Sequence, residues 1–223
     1  MAELTPVRNE PGAYLLGDKK IRIVEWREDW RYDTACLVGS GAGAIITSGQ
    51  KWFFFRDLTG KDDVDCNISQ TRRISRGEEM VINSFGVHVG MRQATDVITD
   101  LTDFAYILER LFLRLRINKD DVAEGPVMCY QPGIGIGGST VTAAGSVLSN
   151  GIPSLASVRP LLVHQEVTSE NDIDGILEAQ GAGWITSLDT PASAFAHATI
   201  AAANGTFVKL MLNGYIKKAV GRN

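Results

Sequence analysis

Several features that assign a function at once are missing from this sequence. No apolar run approaches the roughly 18 residues that a membrane span needs. The opening "MAELTPVRNEPGAYLLGDKK" has no basic stretch followed by an apolar one, so no signal peptide is expected. Histidine is scarce: the three present, His88, His164 and His197, follow neither HxxxH nor HExxH spacing, which leaves zinc chemistry without a motif. The three cysteines, Cys36, Cys66 and Cys129, stand far apart with no CxxC pair. An odd count without a framework fits reduced thiols packed as small hydrophobes. No G-x-S-x-G elbow occurs, although a Ser-His-Asp set scattered along the chain would leave no such trace. A basic excess is absent too. The 22 Lys and Arg are outnumbered by 26 Asp and Glu, for a net charge of −4 and a pI near 5.4. General nucleic-acid binding is therefore excluded as a whole-molecule property, while a local basic patch is not.

What is present is a period of two. In "LFLRLRIN", Leu111, Leu113, Leu115 and Ile117 share one face, opposite Phe112, Arg114 and Arg116. "MVINSFGVHVGM" puts Val81, Phe85, Val87 and Val89 together, and "TFVKLMLNGYIKKAV" turns Val208, Leu210 and Leu212 inward and Lys209 outward. Weaker strands are expected at 20–26, 35–41, 51–58, 126–131, 159–165 and 175–180. Turn residues at Gly60-Lys61-Asp62, Gly125-Pro126, Asn150-Gly151 and Asn204-Gly205 separate them. One segment follows the helical period instead: Val97, Leu101, Phe104 and Leu108 make an apolar stripe, with Asp96, Asp100 and Asp103 toward its N-terminal end. An alanine-rich run at 191–204 is a softer helix candidate. The expected fold is mainly β: a two-sheet sandwich of jelly-roll type, with one amphipathic helix inserted at about 95–108. No repeat or low-complexity linker divides the chain, so residues 1–223 are expected as one domain with a short N-terminal arm (about 1–18) and a basic C-terminal tail (about 216–223).

Candidate chemistry is thin. In "YQPGIGIGGST" (130–140), Gly133 and Gly138 have P-loop spacing, but Ser139 stands where the phosphate-binding lysine belongs. A dinucleotide loop would need a helix to follow, and "STVTAAGSVLSNG" is poor in helix formers. A strand-connecting loop is the better reading, with anion binding by 133–140 in an enzyme as an alternative. Asp62-Asp63 and Asp120-Asp121 read as solvated turn acids, since neighbours on a strand point to opposite faces. Arg72, Arg73 and Arg76 could meet phosphates, but Glu78 and Glu79 follow at once. "KWFFFRD" is the odd stretch. On a strand, Trp52 and Phe54 point one way and Phe53 and Phe55 the other, so one pair belongs to a core and the other to a helix or subunit contact. These four aromatics are the candidate interface residues; no catalytic, cofactor or metal residue is expected.

In layout the chain resembles jelly-roll capsid proteins of icosahedral bacterial viruses. The carrying blocks are "INSFGVHV" (82–89) before the acidic helix, then "LFLRLRINKDDVAEGPVMCYQPGIGIGG" (111–138), and finally "TFVKLMLNGYIKKAV" (206–220). The resemblance implies a virion structural protein without enzymatic activity. Its first partner is itself, in trimers or rings that build a shell. Other capsid or spike proteins, a membrane or the genome are further contacts. The alternative from another class is a non-catalytic binding module, such as a carbohydrate-binding or receptor-binding sandwich, for which Trp26, Trp30 or Trp184 would supply a stacking surface.

Overall fold

Alternation is strictest in "LFLRLRI", and there the structure follows it residue by residue: Leu111, Leu113, Leu115 and Ile117 are buried and the residues between them are half-buried. The computed structural model describes residues 5–7, 13–16, 19–22, 26–37, 46–92, 108–130, 137–141, 145–149, 159–181 and 205–217. Numbered in chain order, the strands are β1 (Thr5–Pro6), β2 (Ala13–Leu16), β3 (Lys19–Arg22), β4 (Trp26–Cys36), β5 (Lys51–Phe54), β6 (Glu79–Arg92) and β7 (Leu111–Ile117). They continue with β8 (Asp120–Pro126), β9 (Gly137–Val141), β10 (Gly145–Ser149), β11 (Arg159–Thr168), β12 (Ile173–Ala179) and β13 (Gly205–Lys217). Helix is confined, among the described residues, to 108–110 and a 3-10 turn at Val127–Tyr130. The protein is mainly β, and every strand pairing is antiparallel.

The pairings are nested. β4 pairs with β13, β5 with β12, β6 with β11, and β7 with β8. Leaving aside β1–β3 and the β9–β10 hairpin, the first strand joins the last and each inner pair lies inside the next, as in one long hairpin. Two lateral pairings, β13 with β6 and β12 with β7, then knit the ladders into two sheets. One runs β4-β13-β6 with β11 and the β10-β9 hairpin both beside β6; the other runs β5-β12-β7-β8. In a small third sheet, β1-β2-β3, the first two strands fall in the segment expected as an N-terminal arm and β3 overlaps the strand expected at 20–26.

One buried cluster takes side chains from both large sheets: Phe85, Val87, Leu210 and Leu212 from the first, Phe54, Leu113, Leu115 and Leu177 from the second. The core is tightly filled at Gly175. A Cβ there would lie 2.5 Å from Leu210 Cδ2 and 2.8 Å from Phe54 Cδ2, so only glycine fits without displacing core side chains. Leu108, the last residue of the helical stripe, is buried in the same cluster. The rest of the expected helix, 95–107, and the softer candidate at 191–204 lie outside the described residues.

Two strands depart from simple alternation. In β6, Met80 and Ile82 join the core with Phe85, Val87 and Val89, so the inward parity changes between Ile82 and Phe85. The expected grouping of Val81 with Phe85 is thereby corrected. Against β13, Asn213 faces Ser84 but Gly214 faces Ile82, which leaves Asn83 as an extra residue in a bulge. The bulge brings backbone against backbone, since a Cβ on Gly214 would lie 1.9 Å from the Val81 carbonyl oxygen. In β5 the strand ends at Phe54, and Phe55 takes a φ of 66°, which swings its ring back into the core beside Phe54. The segment expected as a strand at 126–131 is mostly the 3-10 turn, and the acids expected in a turn at 120–121 begin β8.

A Gly214→Ala variant is expected to lose about 3 kcal/mol or more, because rigid main chain cannot yield as a flexible side chain would. Gly49→Ala is the control. Its φ of 81° is strained for alanine but nothing lies within 4 Å of the new Cβ, so about 1–2 kcal/mol is expected. Urea unfolding of both variants checks the difference.

Candidate functional site

The described residues offer three kinds of chemistry: a buried ion pair, a charged sheet face and an open sheet edge. The ion pair is Asp33 with Lys61, Nζ to Oδ1 2.6 Å, both side chains almost wholly buried. Its carboxylate also accepts the amide of Thr34 at 2.8 Å and the amide of Phe55 at 2.5 Å. Six residues on from Lys61, the chain wraps the free edge of β4. Asn67 donates its amide to the Tyr32 carbonyl, accepts the Tyr32 amide on Oδ1 at 2.8 Å, and gives Nδ2 to the Trp30 carbonyl. One side chain thus stands in for a neighbouring strand. Asp62 caps the turn before it, its Oδ1 accepting the amides of Val64 and Asp65, which is the turn role expected of it. Cys66 lies beside Asp33, and burial, with that carboxylate's charge next in size, pushes its thiol up to about 11.

The charged face is the outer side of β5-β12-β7-β8. Arg116 forks onto Asp121 at 2.8 and 3.1 Å, and Arg114 reaches Glu178 at 3.0 Å and Glu124 at 3.6 Å. Arg56 forks onto Asp174 and lays its guanidinium 3.8 Å over the Phe53 ring. The loop arginines are held here as well: Arg73 bonds Asp172 at 3.0 Å, and Arg72 lies 3.6 Å from Asp172 and 3.8 Å from Asp174. These pairings occupy Arg72 and Arg73, two of the three arginines that the sequence offered to phosphates.

At the open edge, β8 ends one sheet and β11 lies beyond β6 in the other. β11 leaves its ladder after Pro160 and rejoins at Gln165, so 161–164 swell away from β6. Leu162 is fully exposed there and Val163 is 69% exposed. Between the swelling and β8 lies a groove of about 580 Å³ with Phe85 and Tyr130 in its lining, their ring centroids 4.8 Å apart. Asp120, Asp121 and Glu124 line the β8 bank and Arg159 the β11 bank. No periodicity announced this edge: "PLLV" reads as an ordinary buried strand, and only the loss of register exposes it.

Of the four aromatics expected at an interface, Phe54 and Phe55 are wholly enclosed by the chain's own core. Trp52 packs on the core from β5 and Phe53 alone is exposed, at 37%. The predicted pairing of Phe53 with Phe55 on one face fails because Phe55 has left the strand. In "YQPGIGIGGST", Tyr130 closes the 3-10 turn and 131–136 lie outside the described residues. Gly137–Val141 is a strand hairpinned to β10, where a phosphate loop would open a helix. Trp26 is buried, Trp30 is partly buried, and Trp184 and His197 lie outside the described residues. His88 sits on β6 opposite Lys209, and burial, then that lysine, lower its pKa. Among the described residues no three His, Cys, Asp or Glu gather as a metal site, and no helix is long and apolar enough to cross a membrane. No protein-family model, curated protein or solved structure matches the chain.

Phe54→Ala is expected to cost about 3–5 kcal/mol, whereas Phe53→Ser should leave the melting point nearly unchanged. Thermal melting of the pair tests whether the two faces of β5 differ as described. The thiols give a second test. Exposed Cys129 should react with a maleimide at neutral pH, and buried Cys36 and Cys66 only on unfolding. Because the fold holds the Cys66 thiol neutral, its stabilisation is complete below the ordinary thiol pKa near 9 and is lost as pH rises toward about 11. Between those values the melting temperature should fall more steeply in the natural protein than in Cys66→Ala.

Proposed function

We propose that this chain is a structural protein of a virion, a capsid protein of jelly-roll type that assembles with copies of itself into an icosahedral shell, as in the bacterial viruses that its layout resembles. The observation that carries the reading is the nested pairing, β4 with β13, β5 with β12, β6 with β11 and β7 with β8. Rolling such a hairpin about its own axis yields two sheets of four strands over one core, the arrangement called a jelly roll. It occupies the inner face of each sheet and leaves connections at both ends and strand edges at the sides for lateral contact. Shells need such contacts, repeated by cyclic symmetry. The charge pattern favours the same use. Arginines on the outer face of the four-stranded sheet are already ion-paired, which suits a solvated wall better than a nucleic-acid track. On this reading the chain's first partner is itself, in trimers or rings, and the finished shell is its location.

Electron microscopy of the purified chain, with sedimentation at rising concentration, is the test. Closed particles or rings of uniform size are expected. A chain that stays monomeric at the highest attainable concentration and is missing from purified particles would sink the proposal, and a sugar or receptor ligand that shifts its melting point would favour the binding module.

A further inference from the structure

Building on the reading of a self-assembling chain, we infer that the β8–β11 edge is where a second copy of this chain docks, the Leu162–Val163 swelling of each copy entering the groove of the other. The edge carries both halves of such a contact. Leu162 and Val163 stand exposed side by side, and next to them lies a recess with Phe85 and Tyr130 in its lining. An exposed apolar pair on the rim of a recess can make a self-complementary surface, the requirement of a two-fold interface. Charge points to the same occupant. The β8 bank bears the exposed Asp120, together with Asp121 and Glu124 beside their own-chain partners Arg116 and Arg114, and the β11 bank bears Arg159. Half a turn about an axis parallel to the strands sets β11 of one copy over β8 of the other, because the two strands belong to different sheets. Arg159 of each copy then faces the partner's acids, twice over. A ligand of one charge would answer only one bank.

The edges differ in how they are finished. Asn67 closes the ladder of β4 with its own amide and side chain. Neither β8 nor the swollen part of β11 has a comparable cover among the described residues. Exposed apolar side chains on an unpaired edge are the usual start of chain-to-chain association.

Sedimentation velocity and light scattering of the full chain test the inference. The natural protein should show a concentration-dependent dimer. Leu162→Asp with Val163→Asp should weaken it about tenfold or more, with the melting point unchanged. Arg159→Glu and Glu124→Arg should each weaken the dimer, and the two together should restore it, which a merely structural role for either residue would not do. A natural protein monomeric at every concentration overturns the inference, as does a double-aspartate variant that dimerises normally. If that variant fails to fold, the charge swap decides, and failure of the swap to restore the dimer overturns the proposed docking. The shell reading separates cleanly. Dimers lost on mutation without any particles would end that reading and keep the edge, whereas normal particles from a folded double-aspartate variant would end the edge and keep the shell.

Discussion

The Asp33 carboxylate is the polar pin on which the join between the two sheets depends. It stands on β4, yet it takes the amide of Phe55, where β5 of the other sheet ends, and the ammonium of Lys61 in the connection that follows. A carboxylate this buried is tolerable only with its oxygens fully occupied, and three donors meet that condition. Such a pair adds little net stability over an apolar substitute. Removing one partner alone, however, costs about 3–5 kcal/mol, so the geometry is strongly specified. With Phe55 held in a left-handed conformation, the chain turns sharply and both Phe54 and Phe55 enter the core. Lys61 then positions the loop that reaches Asn67 and closes the β4 edge.

How much of this was legible depended on whether each strand keeps one parity. β7 and β13 do, and their inward residues were read correctly because every second side chain meets the shared core. β6 does not. Its Asn83 bulge changes the inward parity at a point where "VINSF" gives no turn signal, and the only trace is Gly214 on the opposite strand. β4 went unread between its ends because "WREDWRYDTAC" puts Arg31 and Asp33 inward, charges that find partners inside the fold in Glu78 and Lys61. β8 was read as a turn for a related reason: its acids belong to cross-strand pairs with Arg114 and Arg116. Periodicity sees apolar burial, and it is blind to a polar group buried with its partner.

The candidate edge was illegible for the converse reason. "RPLLVHQ" has the composition of an inner strand, and half of it does follow the β6 ladder. What exposes Leu162 is a mismatch of length between β11 and the bulged β6: five steps from Pro160 to Gln165 span two steps from Ser84 to Ile82. One irregularity in the sheet interior therefore coincides with another at its rim. An extra residue in β6 changes which of its groups face β11, and β11 accommodates the change by leaving the ladder.

The two sheet faces give the physical reason for proposing association at a rim. The outer side of β13 is already covered, with Phe207, Met211 and Asn213 all buried, and Lys209 reaches the Val64 carbonyl over the Tyr32 ring. The outer side of the four-stranded sheet is wet, but its charges are spoken for, and its one exposed aromatic, Phe53, lies under the Arg56 guanidinium. A partner laid on that face would have to desolvate ion pairs that gain nothing from its arrival, a cost that buried charge pairs seldom recover. At the β8–β11 rim the balance reverses. Backbone groups there lack a neighbouring strand among the described residues, apolar side chains already sit in water, and contact relieves both at once. The proposed association through edges would then follow from two faces that have nothing left to offer.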